Sequence, residues 1–484
     1  MTYNFRIHDY WFYFLGILVI AIALFLPANI TLVVISGLAV ILAWVKPKQA
    51  LLLMALYIPI RTFLVEINDG FTLTGDLITF ILLLKVLWET KGEIRSWFRF
   101  HPFEIAFFIF LIVGAVGGYL TGATLSAVIF QVRTFLIMYV IYYIVSRMNL
   151  NKEDYIKFGW VTVMTSTIIC IHGLIEKLSF RQWLLPESWS EAVLSVTNAM
   201  RIYGLLNNPN SLAIYLSISA IVTLYLLQKV TGTQRKVLYC MLVLFFGVFM
   251  LTFSRGTLIA LAIGLIIYFA FTRHWQLLRP ILISAIASLI VIYFPVTFGG
   301  EYIGDLLTGG DGSGSGKGSG GFKERIDHTF DEESLELMAQ SGRIFYIKKG
   351  FEIFLDHPIA GTGFATFGDS ATLTNGSPIY DDYNINTDIY GFNFYTDNQY
   401  IGVITQTGVI GVVLFAIFLL GMLWIFWQRR QEDSSFSYIM IALWFATAVM
   451  GMIYNIWELK LFTFFYFLFF GAYASRHNIY RIKR

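Results

Sequence analysis

Three arginines, Arg201, Arg255 and Arg343, lie in polar segments between long apolar runs. The other connections of the same set hold few basic residues. Arg201 begins Arg201-Ile-Tyr-Gly204, Arg255 precedes a glycine in a tight hairpin, and Arg343 borders an amphipathic stripe. A guanidinium stays charged in any surroundings, and its planar fork of donors matches phosphate oxygens. The three residues are therefore candidate phosphate ligands. Taken singly, each has a plainer explanation: a lipid-headgroup anchor, a hairpin cap and a solvated helix face.

The rest of the chain consists mainly of apolar segments long enough to cross a bilayer. Of 484 residues, 57% are hydrophobic and only 13% are charged, which predicts a polytopic all-α membrane protein and gives no sign of nucleic-acid binding. Apolar runs of about 16 to 24 residues predict about fourteen transmembrane helices. These runs lie near 11–27, 29–45, 50–66, 72–88, 104–120, 124–146, 155–177, 205–228, 237–253, 255–272, 278–296, 399–427, 436–454 and 459–474.

Basic residues occur in alternate connections and predict the topology. The connections that carry Lys46, Arg147, Lys229 and Arg429 are basic, whereas the intervening connections hold few Lys or Arg residues. Because Lys and Arg favour the cytoplasmic side, both termini are predicted to be cytoplasmic. The predicted parts are a transmembrane bundle at 1–296, one large extracytoplasmic loop at 297–398, and C-terminal helices with a cytoplasmic tail at 399–484.

The large loop has two predicted parts. Residues 309–321 read GGDGSGSGKGSGG, a composition that cannot form a core and predicts a disordered tether. Residues 333–356 place apolar side chains along one helical stripe, which predicts an amphipathic helix on the outer membrane surface or over a cavity. Pro358 is expected to end that helix.

Four segments, in this order, resemble signatures of the O-antigen ligase and O-antigen polymerase superfamily. They are 201–210 (RIYGLLNNPN), 251–256 (LTFSRG), 356–363 (DHPIAGTG), and the span that opens at Asn398 and contains 407–411 (TGVIG). The resemblance covers roughly 201–411 and is architectural before that. The Gly/Ser tether, with no clue specific to Gram-negative bacteria, suggests a Gram-positive wall-polysaccharide polymerase of the teichuronic acid type.

The resemblance implies a GT-C-like glycosyltransferase of the plasma membrane. Such an enzyme transfers a glycan from an undecaprenyl-diphosphate carrier to an acceptor sugar hydroxyl at the outer face, without nucleotide sugar, metal or other cofactor. Negative charge develops on the departing diphosphate as an oxocarbenium-like sugar forms, and fixed arginines would stabilise that charge. Arg201, Arg255 and Arg343 are the expected ligands. Arg133 is a fourth expected ligand. It lies near the middle of a predicted span, where an unpaired cation costs several kcal/mol of free energy, so it must face a cavity or a partner.

The catalytic base has two candidates. Ligases of this family place a histidine immediately before the asparagine that opens the span after the loop, whereas this chain has Asp397 before Asn398. Asp397 is either the base or an N-cap of that span. His357 is the other candidate, although a histidine before proline at a helix end is more often structural. Asn398, Asn210 and Asp388 are expected to bind sugar hydroxyls.

A lipid-linked oligosaccharide flippase is the alternative function, because those exporters have a similar number of spans and buried arginines that bind diphosphate. They usually have short connections and two related halves, whereas this chain has one long loop and no evident internal repeat. A non-catalytic scaffold would leave the external arginines unexplained. Two acidic residues at the ends of spans, Glu176 and Glu458, are expected at the membrane interface.

Overall fold

The computed structural model describes residues 6–192, 194, 196–299, 343–385, 394–432, 434–477 and 479–480. All regular secondary structure in these residues is helical. The predicted tether at 309–321 and the predicted sugar-binding residue Asp388 lie outside the described residues. The predicted loop helix is described from Arg343 onward.

Each predicted span coincides with a helix. Before the loop these helices are α1 Trp11–Ala23, α2 Ala28–Val45, α3 Pro47–Ile67, α4 Thr74–Glu89, α5 Pro102–Leu120, α6 Leu125–Arg147, α7 Lys152–Leu178, α8 Pro209–Leu227, α9 Gly232–Leu251, α10 Arg255–Thr272 and α11 Leu278–Ser288. After residue 342 follow α12 Arg343–Asp356, α13 Ser370–Asn375, α14 Gln399–Gln428, α15 Ser434–Met450 and α16 Lys460–Arg476.

The multi-pass membrane fold is confirmed. Within the described residues, eleven helices are long and apolar enough to cross a membrane. The segment that contains α1, Ile7–Ala23, and α15 are apolar but shorter, and α16 has 17 residues. The number of helices that meet the length criterion is therefore below the predicted fourteen, because the runs at the two ends of the chain form shorter helices.

Several helices begin at an asparagine whose side chain accepts hydrogen bonds from the first backbone N–H groups. Asn151 caps α7, Asn208 caps α8 and Asn398 caps α14. The first N–H groups of a helix have no carbonyl partner within the helix, so these side chains fix where each span starts. The caps of α8 and α14 lie in two of the segments that carry the family resemblance.

The chain forms two compact units. The first comprises 1–89, 148–257 and 274–326, and the second comprises 90–147, 258–273 and 327–484. The first unit therefore contains α1–α4, α7–α9, α11 and the first residues of α10. The second contains α5, α6, α12–α16 and the remainder of α10.

In the first unit, α7 packs against α3, α8 and α9. The side-chain hydroxyls of Ser166 on α7 and Ser219 on α8 lie 2.5 Å apart in this buried contact. Gly159 brings α7 close to Leu226 of α8, because a Cβ at Gly159 would lie 3.1 Å from that side chain. Small residues and hydroxyl pairs of this kind are typical of helix contacts within membranes.

In the second unit, the span α14 is broken. Gly408 interrupts it with φ 56° and ψ −161°. Immediately before the break, the carbonyl oxygens of Thr405 and Gln406 accept hydrogen bonds from the backbone N–H groups of Thr362, at 3.2 Å, and Gly363, at 2.6 Å. Backbone groups within a bilayer must be satisfied by protein, and here the loop satisfies them.

The same exchange occurs after the break. The N–H groups of Val409 and Ile410 donate to the carbonyl oxygens of Pro358, at 2.9 Å, and Ile359, at 3.1 Å. Segment 358–364, which follows α12, thus replaces hydrogen bonds that a continuous α14 would make with itself. Two of the segments that carry the family resemblance, 356–363 and 407–411, are therefore paired with each other.

Glycines allow this close pairing. Gly361 and Gly363 have positive φ values of 68° and 88°, which non-glycine residues seldom adopt. A Cβ at Gly363 would lie 1.6 Å from the backbone nitrogen of Gly118 in α5. The next residue, Phe364, donates its N–H to the carbonyl oxygen of Gly114 at 2.7 Å. The inserted segment is therefore held by both α5 and α14.

We expect Gly363→Ala to destabilise the protein strongly. Alanine would be strained at this φ and would collide with the α5 backbone, at a combined cost of about 3 kcal/mol or more. Thermal unfolding of the detergent-solubilised protein measures the effect. Gly37→Ala in α2 is the matched control, because nothing lies within 4 Å of a Cβ built there. Equal unfolding temperatures for the two variants would contradict the importance of this contact.

Candidate functional site

In the first unit, two of the candidate segments meet through Arg201. The Arg201 Nε donates to the carbonyl oxygen of Thr252 at 2.7 Å, and its Nη2 donates to Asn210 Oδ1 at 2.5 Å. The hydroxyl of Ser254 donates to the same Asn210 oxygen at 3.1 Å. Segments 201–210 and 251–256 thus form one polar cluster, and Arg255, the first residue of α10, follows Ser254 directly. Both arginines are partly buried.

The segment that carries Arg201 is held on both sides by α7. Lys177 Nζ donates to the carbonyl oxygen of Met200 at 2.6 Å. Glu176 Oε2 accepts from the N–H groups of Tyr203, at 3.2 Å, and Gly204, at 2.6 Å. These contacts fix the backbone immediately before and after Arg201.

Glu176 was expected at the membrane interface, and its side chain is in fact only 1% exposed. A buried carboxylate is tolerated only with good partners. Arg181 Nη1 lies 2.5 Å from Glu176 Oε1 and provides the opposite charge. The Arg181 guanidinium also lies 4.4 Å from the centre of the Tyr203 ring, so the pair packs against the segment that carries Arg201.

In the second unit, Arg343 and Asp397 form an ion pair. Arg343 Nη2 and Asp397 Oδ2 are 3.5 Å apart, and the two side chains are 48% and 49% exposed. Arg343 begins α12 and Asp397 precedes the cap of α14. Desolvation by the surrounding protein raises the pKa of Asp397, and the positive charge of Arg343 opposes this shift. An accessible carboxyl group with a raised pKa is a suitable proton acceptor.

Asn398, and not Asp397, caps α14. The Asn398 Oδ1 accepts from the backbone N–H groups of Tyr400 and Ile401, each at 3.1 Å. Asp397 has a left-handed φ of 47°, and its side chain is directed to Arg343 instead. The interpretation of Asp397 as the N-cap is therefore wrong, because the cap lies one residue later.

The two remaining candidates described by the structure, His357 and Arg133, lie at different helices of the second unit. His357 is exposed at the end of α12. The backbone N–H of His357 donates to the carbonyl oxygen of Ile353 at 3.0 Å, and its carbonyl oxygen accepts from the Gly361 N–H at 3.1 Å. These backbone bonds agree with a structural role at the helix end. Arg133 lies on the exposed side of α6.

Sequence reasoning missed a buried pair of acidic residues in the second unit. Asp369 and Glu458 are 1% and 7% exposed. Asp369 caps α13 through Thr372 N–H at 2.8 Å, and its other carboxylate oxygen accepts from Ala365 N–H at 2.7 Å and Gln406 Nε2 at 2.8 Å. Since N–H donors surround it on both oxygens, Asp369 is the member of the pair that is better suited to carry the charge.

Glu458 lies between α15 and α16 and binds the start of α13. Its Oε2 accepts from Ser370 N–H at 2.7 Å, while Gln131 Oε1 of α6 accepts from Ala371 N–H at 3.1 Å. Burial and repulsion from Asp369 raise the pKa of Glu458 to about 7, and the hydrogen bond from Ser370 opposes the shift. The acidic pair and Gln131 therefore fasten the loop after residue 364 to the helices.

A family model for O-antigen ligase matches residues 240–416. This segment of the chain is similar to an O-antigen ligase domain. The domain contains Arg255, Arg343, His357 and Asp397, so the resemblance seen in the sequence is confirmed over this segment. Arg201 lies before it. A search of curated proteins finds no match to this chain.

The matched segment 240–416 contains only one member of the acidic pair. Asp369 lies within the matched residues, and Glu458 follows them. The sequence does carry a local signal for Asp369, because aspartate is one of the residues preferred at a helix N-cap. No local signal exists for the pairing. Among the described residues, no group of three or more histidine, cysteine or acidic side chains could hold a metal ion.

The raised pKa of Glu458 predicts a pH dependence of stability. An acid whose pKa is higher in the folded state stabilises the fold fully below its unfolded pKa, about 4.3, and this contribution is lost as the pH rises through the folded value, about 7. Relative to the wild type, Glu458→Gln should therefore become more stable across this window, by about 1 kcal/mol for each pH unit.

Thermal unfolding of both proteins at several pH values measures this difference. Glu352→Gln is the control, because it makes the same chemical change at a side chain that is 51% exposed on α12. A constant difference between wild type and Glu458→Gln at all pH values would show that Glu458 does not exchange a proton on folding.

Proposed function

We propose that this protein is a membrane glycosyltransferase that polymerises or ligates a cell-surface polysaccharide, taking the glycan from an undecaprenyl-diphosphate carrier. The observation that supports this most is the Arg343–Asp397 ion pair inside the O-antigen ligase domain. It combines a carboxylate with a fixed cation, and both side chains are about half exposed.

The proposed step is a single displacement at the anomeric carbon. The acceptor hydroxyl oxygen forms a bond to that carbon, and the bond between the carbon and the diphosphate oxygen breaks. The hydroxyl proton passes to Asp397, and the electron pair of the broken bond stays on the diphosphate. Fixed guanidinium groups stabilise the charge on the leaving group more in the transition state than in the ground state.

The diphosphate ligands proposed are Arg201, Arg255, Arg343 and Arg133, each to be tested by itself. Asn210, Asn398 and Asp388 are proposed to contact sugar hydroxyls. In Asn210 and Asn398 the side-chain oxygen already accepts hydrogen bonds from protein groups. The amide nitrogen is therefore the proposed contact with the sugar. His357 remains a second proposal for the base.

The proposed location is the plasma membrane, with both termini cytoplasmic and the large loop outside. Reporter enzymes inserted within 309–321 test the topology, and a cytoplasmic signal there would overturn it. A wall polysaccharide of the teichuronic acid type is the proposed product, and the proposed reaction requires neither a metal nor a nucleotide sugar.

The function is tested with purified protein in phospholipid vesicles that contain a synthetic undecaprenyl-diphosphate oligosaccharide. We expect products longer than the substrate, formed in the presence of a chelator and without nucleotide sugar. A flippase would instead move the labelled substrate across the bilayer without lengthening it. That result would replace the proposed function by the alternative one.

A further inference from the structure

One side chain holds both neighbours of Asp397. Asn455, in the connection between α15 and α16, accepts two hydrogen bonds on its Oδ1: from Thr396 Oγ1 at 3.0 Å and from the Asn398 N–H at 3.1 Å. Its Nδ2 donates to the carbonyl oxygen of Gly368 at 2.9 Å. Asn455 is 6% exposed, so these bonds are shielded from water. It therefore links one side-chain hydroxyl and two backbone groups around Asp397.

The turn at Asp397 requires such support. Its φ of 47° lies in the left-handed region, which non-glycine residues seldom adopt without help from their surroundings. Thr396 adds a second tie, because its backbone N–H donates to the Gly368 carbonyl oxygen at 3.0 Å. With the residues before and after it fixed, Asp397 projects its half-exposed carboxylate to Arg343.

The bonding pattern suits asparagine in particular. The amide provides an acceptor for the hydroxyl of Thr396 and the N–H of Asn398, and a donor for the carbonyl of Gly368. An aspartate would lack the donor and would add a negative charge next to Glu458, whose Oε1 lies 3.5 Å from Asn455 Nδ2. An apolar residue of similar shape would leave all three backbone or hydroxyl groups without this partner.

We infer that Asn455 is a positioning residue that sets the direction of the Asp397 carboxylate. It lies after the matched segment 240–416 and is bonded to both neighbours of Asp397. The inference rests on the proposed function, because it requires Asp397 to be the base. Loss of Asn455 allows the turn to relax, and a base displaced by about 1 Å can cost about 100-fold in rate.

The test uses purified variants in the vesicle assay and measures kcat and KM for the lipid-linked donor. Asn455→Leu should lower kcat by about 100-fold and leave KM for the donor unchanged. Thr396→Val keeps the shape of a buried residue while it removes one bond to Asn455, so kcat should fall in the same direction by a smaller factor. If Asn455→Leu does not fold, Thr396→Val alone decides.

Thr447→Val is the matched control. Thr447 is buried in α15, and its hydroxyl donates to the carbonyl oxygen of Leu443, one turn earlier in the same helix, at 2.7 Å. This variant undergoes the same chemical change in the same unit without touching the turn at Asp397. It should keep the wild-type kcat. The inference is overturned if Thr396→Val and Thr447→Val have the same kcat. It is also overturned if Asn455→Leu and Thr396→Val raise KM and leave kcat unchanged.

A double variant separates this inference from the proposed function. In an Asp397→Asn background, Asn455→Leu should cause no further loss, because both changes remove the same contribution. An equal loss in both backgrounds would show that Asn455 acts independently of Asp397, and the inference would be wrong while the function stands. Full activity of Asp397→Asn alone would remove the base role and the inference together.

Discussion

Arg201→Lys should abolish most polymer formation while the protein remains folded in the membrane. The guanidinium joins two segments, through Nε to Thr252 and through Nη2 to Asn210. A lysine ammonium is a single point charge on a flexible stem, so it cannot keep both contacts and offer a planar fork to phosphate oxygens. Loss of one donor that stabilises a transition state costs about 100- to 1,000-fold in kcat. The rate of product lengthening in vesicles measures this loss.

Two variants define what the Arg201→Lys result means. Arg61→Lys makes the same change at another partly buried arginine of the first unit, which donates to the carbonyl oxygen of Thr72 at 3.5 Å. Its activity should stay close to that of the wild type. Ser254→Ala removes one hydrogen bond to Asn210 and leaves Arg201 in place, so its loss should be much smaller. An active Arg201→Lys protein would end the phosphate role of this residue.

The helices could be predicted from sequence because the information for them is local. A run of apolar residues as long as a bilayer is thick must form a helix, since its backbone groups have no water to bond with. The predicted runs near 50–66 and 155–177 correspond to α3 and α7 for this reason. The apolar stripe of Ile344, Ile347, Phe351, Phe354 and Leu355 likewise predicted α12. The helix instead buries Tyr346 and Ile353, and Phe351 and Leu355 of the predicted stripe are exposed.

The broken span could not be predicted, because its cause lies elsewhere in the chain. Residues 399–427 predict one continuous helix, and glycine is common in membrane helices. Gly408 adopts its positive φ only because segment 358–364 provides the hydrogen bonds that the helix gives up. The end of the loop helix before Pro358 was predicted, whereas the insertion of segment 358–364 against α5 and α14 follows from tertiary contacts alone.

The candidate site was predicted in part. The sequence identified Arg201, Arg343 and Asp397 by residue type and expected position, and the structure pairs Arg343 with Asp397. It gave no indication of Asn455 or Glu458, because their partners are remote in sequence. Glu458 illustrates the difficulty: an acid beside a tryptophan at the end of an apolar run resembles an interfacial residue, and its burial depends on the start of α13.

Asp397→Asn should lower kcat by about 100-fold or more, because a general base contributes at least this factor. Asparagine keeps the size of the side chain and tolerates the left-handed φ of 47°, so the turn should remain intact. Asp381→Asn is the control, since Asp381 is an exposed acid of the same loop. Small and equal effects of the two substitutions would show that Asp397 does not accept the proton.

The pH dependence of kcat gives a second, independent test of Asp397. A base must be deprotonated to act, so the rate should fall at acid pH, starting above the ordinary aspartate pKa of about 3.9, because desolvation raises the pKa of Asp397. Arg343 opposes that rise. Arg343→Gln should therefore raise the pKa of Asp397 further and move the acidic limb of the profile to higher pH. A shift to lower pH would mean that the limb reports another group, and the base would have to be sought elsewhere.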